Sequence, residues 1–171
     1  YDGVYNKSKF AVKGKSDISD IPQTVIGQGN TQITPLHNAL IMSTIANGGV
    51  MMSPYMIDKV ENHAGAKVKK FTSTSHKKVI EASEAEKLVE YLQSVTEYGT
   101  ASSKFAGTAY TVAGKTGTAE YNSEGKAHSW FVGFSNVENP DIVVSVVIED
   151  ASSSGLTGTG VARQIFDTYY Q

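Results

Sequence analysis

The sequence predicts an α+β fold, an antiparallel sheet covered by helices, on three observations. Three strand-like segments follow one another late in the chain, at 111–118, 128–135 and 141–148. The turn-like links between them, Asn122-Ser123-Glu124-Gly125 and Asn136 to Pro140, are too short for the crossover that parallel strands need, so the strands form a meander. Two helix signals precede the meander and one follows it, which sets helices against the sheet.

Taken in order, residues 1–33 are polar, with Ile18, Ile21, Val25 and Ile26 as scattered apolar anchors, and read as a connecting segment. A helix opens at Thr34-Pro35, a hydroxyl at the cap followed by a proline with no N–H to leave unsatisfied. Leu36, Ala39, Leu40 and residues 43–46 supply its apolar or small face, and Gly48-Gly49 stops it. Residues 55–60 and 67–71 read as two short strands around a turn at Asn62 to Gly65. Ser83 and Glu86 have capping-box spacing, and Ala85, Leu88, Val89, Leu92 and Val95 then follow helical spacing up to Gly99. The run Ile142, Val143, Val144, Ser145, Val146, Val147, Ile148 is β-branched almost throughout, which implies a strand buried on both faces. A Gly/Ser/Thr loop at 152–160 leads to a terminal helix at 161–169. Residues 1–33, 34–99 and 111–171 are thus parts of one domain.

Composition narrows the class of function without naming one. A chain of 171 residues, 40% apolar and 19% charged, can bury one ordinary core. No run approaches the roughly 18 apolar residues of a membrane span, and no basic, then apolar, leader opens the chain, so no signal peptide is expected. Net charge −2 and a pI near 6.1 give no electrostatic footprint for nucleic acid, and no such partner is expected. Cysteine is absent, which removes disulfides and thiolate chemistry. His37, His63, His76 and His128 lie far apart without zinc-ligand spacing, so neither a metal nor another cofactor is expected.

The segment Val112-Ala113-Gly114-Lys115-Thr116-Gly117-Thr118-Ala119-Glu120 carries the most chemistry. A lysine between glycines, followed by two hydroxyls, offers a cation, two small donors and an approachable backbone. That set suits a carboxylate-bearing ligand laid along a strand edge, with the cation and hydroxyls on the anion and free backbone groups pairing with the ligand. Gly117 leaves no side chain between ligand and strand. Taken alone, the tripeptide fits a surface strand with a solvated lysine better than a binding site. It does not fit a phosphate loop: that pattern needs glycine where Ala109 stands, and a helix where Gly117, Thr118 and Ala119 lead into a turn. His128 begins a strand beside this segment, and Trp130, Phe131 and Phe134 read as core residues of that strand. The loop before the terminal helix reads as a helix-capping loop.

Lys115-Thr116-Gly117-Thr118-Ala119, followed by His128-Ser129-Trp130-Phe131-Val132-Gly133-Phe134, resembles the third and fourth strands of the penicillin-binding proteins. Upstream, Ile26-Gly27-Gln28-Gly29-Asn30, Thr34-Pro35-Leu36 and Ala46-Asn47-Gly48-Gly49 resemble the segment that precedes this strand in class B members. These separated matches run in the family's order from Ile26 to the terminal helix. The resemblance implies the serine β-lactamase and penicillin-binding-protein transpeptidase fold, of which this chain is the C-terminal portion. It implies that Lys115 and Thr116 bind a substrate carboxylate beside Gly117. The Thr118 hydroxyl would assist, and the Thr118 N–H would form half of an oxyanion hole.

The family's other two catalytic motifs are Ser-x-x-Lys, nucleophile and base, and Ser-x-Asn, a proton relay. The latter occurs nowhere. The former occurs at Ser75/Lys78, after a predicted strand, and at Ser123/Lys126, in a turn beyond Lys115-Thr116-Gly117. Both are read as chance matches, so the nucleophilic serine is expected outside this chain. The resemblance then implies a parent D,D-transpeptidase of peptidoglycan synthesis, acting on D-Ala-D-Ala stem peptides and trapped by β-lactams. That parent would lie on the outer face of the cytoplasmic membrane, held by an N-terminal anchor, and this chain alone would be inactive. The implied partners are the stem peptide, β-lactams, the N-terminal part of the same protein, and whatever pairs with the Ile142 to Ile148 edge. A β-lactam sensor domain, a β-lactamase fragment or a non-catalytic binding fragment shares the Lys-Thr-Gly strand, though Ala46-Asn47-Gly48-Gly49 favours the transpeptidase.

Overall fold

A computed structural model describes residues 7–10, 20–121 and 125–171. The anchor Ile18, the candidate Ser123 and most of the turn at 122–125 lie outside them. Within the connecting segment a short helix, α1 (Asp20–Val25), forms where none was expected. Thr34 caps α2 (Pro35–Ala46) from an extended backbone, and its hydroxyl oxygen accepts the His37 N–H at 3.2 Å. Asn47 and Gly48 end the helix, and Gly49 follows at φ +87°, where a Cβ would strike the Ile80 carbonyl.

The chain next makes β1 (Val50–Met52), the expected hairpin of β2 (Lys59–Glu61) and β3 (Lys67–Lys70), and then β4 (Ser75–Lys78), which returns antiparallel to β1. Asn62 builds the hairpin turn: its Oδ1 accepts the N–H groups of Ala64 and Ala66. The pair of β1 and β4 escaped the sequence because Ser-His-Lys-Lys is exposed throughout and has no apolar alternation. Residues 55–57, expected in the first hairpin strand, lie outside it and are exposed.

The helix α3 (Ala82–Glu97) begins ahead of the expected cap. Glu81 and Glu84 form the capping box in place of Ser83 and Glu86, with Glu84 Oε2 accepting the Glu81 N–H at 2.9 Å. An ion pair from Lys78 holds the Glu81 side chain at that position. A turn of helix, α4 (Ser102–Phe105), precedes the main sheet of β5 (Val112–Glu120), β6 (Ala127–Ser135) and β7 (Val143–Ile148), in that spatial order and antiparallel throughout. A short turn, α5 (Ala151–Ser154), and the terminal helix α6 (Gly158–Tyr169) complete the domain. The Thr157 hydroxyl oxygen caps α6 through the Gly160 N–H at 3.1 Å, so this helix starts earlier than residue 161.

Strand periodicity sorts the sheet into two faces. Ala113, Phe134 and Val143 are aligned across the three strands and pack with Val132 against Met42 of α2 and Val89 and Leu92 of α3. On the other face, Val112, Phe131, Val144 and Val146 meet Phe105, Ala162 and Phe166. The β7 run is therefore buried at Val144 and Val146, under α6, and only half-buried at Val143, Ser145 and Val147 on the α2 face. Helix α2 lies on that second face without closing it, so burial is less complete than the β-branched run implied.

Gly114 has a packing role that its place beside Lys115 had disguised. It is paired directly with Gly133, and a Cβ on it would lie 2.6 Å from the tip of the fully buried Phe131 ring and 2.8 Å from the Val132 carbonyl. The two glycines thus make the flat bed on which Phe131 rests. Gly114→Val should lower stability by about 3 kcal/mol, because neither neighbour is the free end of a flexible side chain. Gly117→Ala should cost under about 1 kcal/mol, since its Cβ would meet the Trp130 side chain, with Cβ at 3.2 Å and Cγ at 3.9 Å, and no backbone. Denaturant midpoints of the two variants check this, and equal losses would refute the packing role.

Candidate active-site strand and cleft

Among the described residues β5 pairs with β6 alone, so the strand bearing Lys115, Thr116, Gly117 and Thr118 is an edge there, as its solvated cation requires. Three contacts show which backbone groups face outward. The Val112 carbonyl accepts the Thr96 hydroxyl of α3, the Thr116 carbonyl accepts Lys115 Nζ at 2.7 Å, and the Thr118 carbonyl accepts Gln28 Nε2 at 3.2 Å. In a strand the N–H and C=O of one residue point the same way, so the N–H groups of Thr116 and Thr118 also face away from β6. Helix α3 covers this edge at Val112 and leaves it open at Thr116 and Thr118.

A cleft of about 1020 Å³ lies along the open half, between the strand and residues 26–38. Lys115, Thr116, Gly117 and Thr118 all line it. Period-2 geometry places Lys115 and Gly117 on the α2 face with Trp130, and Thr116 and Thr118 on the α6 face; only an open edge lets one cleft reach both sets. The charged side chains lining it are Lys7, Lys9, Lys115 and Glu149, a positive balance that suits an anionic ligand. Lys115 has no carboxylate partner among the described residues, so its charge is available to one.

His128 lies in the lining, stacked on Tyr121 at 4.4 Å between centroids. Its Nδ1 accepts the Asp150 N–H at 3.2 Å, which leaves the ring proton of the neutral imidazole on Nε2. Asp150 adopts a left-handed backbone, φ +47°. A hydrogen bond from Ser153 first, with others from Tyr121 and Ser152 and the charge of Lys126, holds its carboxyl below the usual carboxylate range against an opposing effect of burial. Burial, and then Asp150 as acceptor, push the Tyr121 phenol above its ordinary value. Trp130, expected in the core, is half-buried and lines the cleft, whereas Phe131 and Phe134 are fully buried as expected.

The remaining candidates separate cleanly. Ser75 and Lys78 both lie on the exposed strand β4, and Lys78 is paired with Glu81. Neither lines the cleft beside β5. The 152–160 loop uses its donors internally: Ser152 and Ser153 bond Asp150, and the Gly158 N–H donates to Ser129 Oγ at 3.0 Å. The capping reading therefore holds. Gln28, Tyr121, Asp150 and the lysines at 7 and 9 were not found by sequence reasoning, because each reaches the site by tertiary contact from a segment without local regularity.

Comparison with known proteins assigns the arrangement. The family model of the penicillin-binding-protein transpeptidase domain matches residues 3–171. The chain belongs to this family. It is 31% identical over 149 residues to the peptidoglycan D,D-transpeptidase PbpA of Mycobacterium tuberculosis, covering 85% of this chain and 30% of that protein. It is 32% identical over 148 residues to the stage V sporulation protein D of Bacillus subtilis, covering 83% of this chain and 23% of that protein. The structure of penicillin-binding protein A from M. tuberculosis as an imipenem acyl-enzyme complex superposes with a TM-score of 0.77 at 29% identity, over 87% of this chain and 33% of that one. The fold is thus the serine β-lactamase and penicillin-binding-protein fold, and the chain spans about a third or less of the relatives it matches.

Proposed function

We propose that this chain is the C-terminal part of a peptidoglycan D,D-transpeptidase and supplies its substrate-holding strand. Lys115 and the Thr116 and Thr118 hydroxyls hold the carboxylate of a D-Ala-D-Ala stem peptide, or of a β-lactam that mimics it. The outward backbone of β5 pairs with the peptide, with nothing larger than Gly117 between them. The Thr118 N–H donates to the tetrahedral oxyanion, and the nucleophile's own N–H is the second donor. The nucleophilic serine, its lysine base and the Ser-x-Asn relay come from the N-terminal part of the same protein, which faces the cleft and also pairs with the outer edge of β7. The acyl-enzyme formed by loss of D-alanine then passes to an acceptor amine.

The single observation that supports this best is the alternation of outward carbonyls at Val112, Thr116 and Thr118, which turns the Thr118 N–H toward the cleft beside a Lys115 without a carboxylate partner among the described residues. No helix among the described residues is long and apolar enough to cross a membrane. The extracytoplasmic site and anchor therefore belong to this proposal for the full-length protein.

The test is to incubate the full-length protein with labelled penicillin, and separately with a D-Ala-D-Ala stem peptide and an amine acceptor. A stable penicilloyl adduct together with D-alanine release and a cross-linked product is expected. An adduct without peptide turnover would favour the sensor domain, and rapid hydrolysis of penicillin the β-lactamase.

A further inference from the structure

Thr100 touches the proposed site from a loop that the motif does not include. Gly99 ends α3, its N–H donating to the Ser94 carbonyl at 2.9 Å, and the Ala101 N–H donates to the Val95 carbonyl at 3.0 Å. Ala101 is fully buried, and a Cβ at Gly99 would lie 2.8 Å from Val95 Cα. The backbone is therefore pinned on both sides of Thr100. The Thr100 side chain reaches across to β5, where its Oγ1 lies 2.9 Å from Thr116 Oγ1.

Each threonine hydroxyl has one proton to give, and an ionised carboxylate can only accept. With no ligand, either threonine can be the donor of this bond. Once an anion occupies Thr116, the Thr116 proton must point at it, and the shared bond then has one direction only. We infer that Thr100 is a positioning residue for Thr116: its hydroxyl donates to Thr116 Oγ1, so that the Thr116 proton is turned toward the ligand carboxylate. Two effects follow. The fixed Thr100 oxygen selects one χ1 well of a β-branched side chain that has few. A chain of two hydroxyls ending on an anion is also polarised along its length, which makes the last donor stronger. The inference rests on the carboxylate-binding role proposed above for Thr116.

The experiment is a double-mutant cycle in the full-length protein, read as the second-order rate of acylation by benzylpenicillin. Thr100→Val keeps the side-chain shape, removes the proton, and should slow acylation about three- to tenfold. Thr100→Ser should restore the rate to within about twofold of the wild type. In a Thr116→Val background, Thr100→Val should have no further effect. Losses that multiply across the two sites would mean loop packing and overturn the inference, as would a Thr100→Val or Thr116→Val protein that reacts at the wild-type rate. Either result leaves the transpeptidase reading standing if the wild-type protein takes up penicillin. A wild-type protein that takes up none overturns both.

Discussion

Replacing Lys115 by alanine in the full-length protein should slow acylation by penicillin on the order of a hundredfold. The thermal midpoint should move by no more than about 2 °C. The two effects part company because of where the ammonium lies. Lys115 is exposed on an edge strand and its only hydrogen bond among the described residues is to the carbonyl of the next residue, so folding gains little from it. A bound carboxylate gains a charge-assisted hydrogen bond in a cleft whose lysines outweigh its one glutamate. On the proposed reading the same contact would hold the reacting carbonyl at attack distance, so its loss should lower the rate of acylation as well as occupancy. Stopped-flow acylation and calorimetry on wild type and variant measure both quantities. Equal acylation rates would reduce Lys115 to an ordinary surface lysine and remove the central residue of the proposed site.

The isolated chain should form no covalent adduct with penicillin, while the full-length protein gains one penicilloyl group. Acylation needs a serine whose proton a fixed lysine removes, and an oxyanion hole of two N–H groups, one of them the nucleophile's own. On the proposed reading the chain supplies the Thr118 N–H, and the serine with its own N–H comes from the N-terminal part. Ser75 lies on the exposed strand β4, and its pattern partner Lys78 is engaged with Glu81. The outer edge of β7 has no strand partner among the described residues. The isolated chain should therefore also self-associate through that edge, and co-expression with the N-terminal part should restore both a monomer and the adduct. Mass spectrometry reads the adduct and light scattering the assembly. A penicilloyl group mapped to Ser75 or Ser123 would show that the nucleophile had been misplaced.

Much of the frame was legible because its signals are local. Thr34-Pro35 caps α2 where expected, since a hydroxyl and a proline act on their own helix end. The meander of β5, β6 and β7 follows from apolar strands joined by short polar links. Errors fell where two local signals competed or none existed. Glu81 with Glu84 took the cap that Ser83 and Glu86 also offered by spacing, and β4 has no apolar pattern to announce it.

The candidate site divides in the same way. Lys115, Thr116, Gly117 and Thr118 stand together in the sequence, and the resemblance of the surrounding motifs was enough to indicate the family. The sequence by itself determined which groups the site has. Tertiary structure alone decided which way they face. The outward alternation of Val112, Thr116 and Thr118, the reach of Thr100 to Thr116, and the bed that Gly114 and Gly133 make for Phe131 each depend on residues distant in the chain. The physical reason is that a side chain's identity is a local property. The direction of a hydrogen bond or the clearance beside a glycine depends on what the rest of the chain brings within a few ångströms.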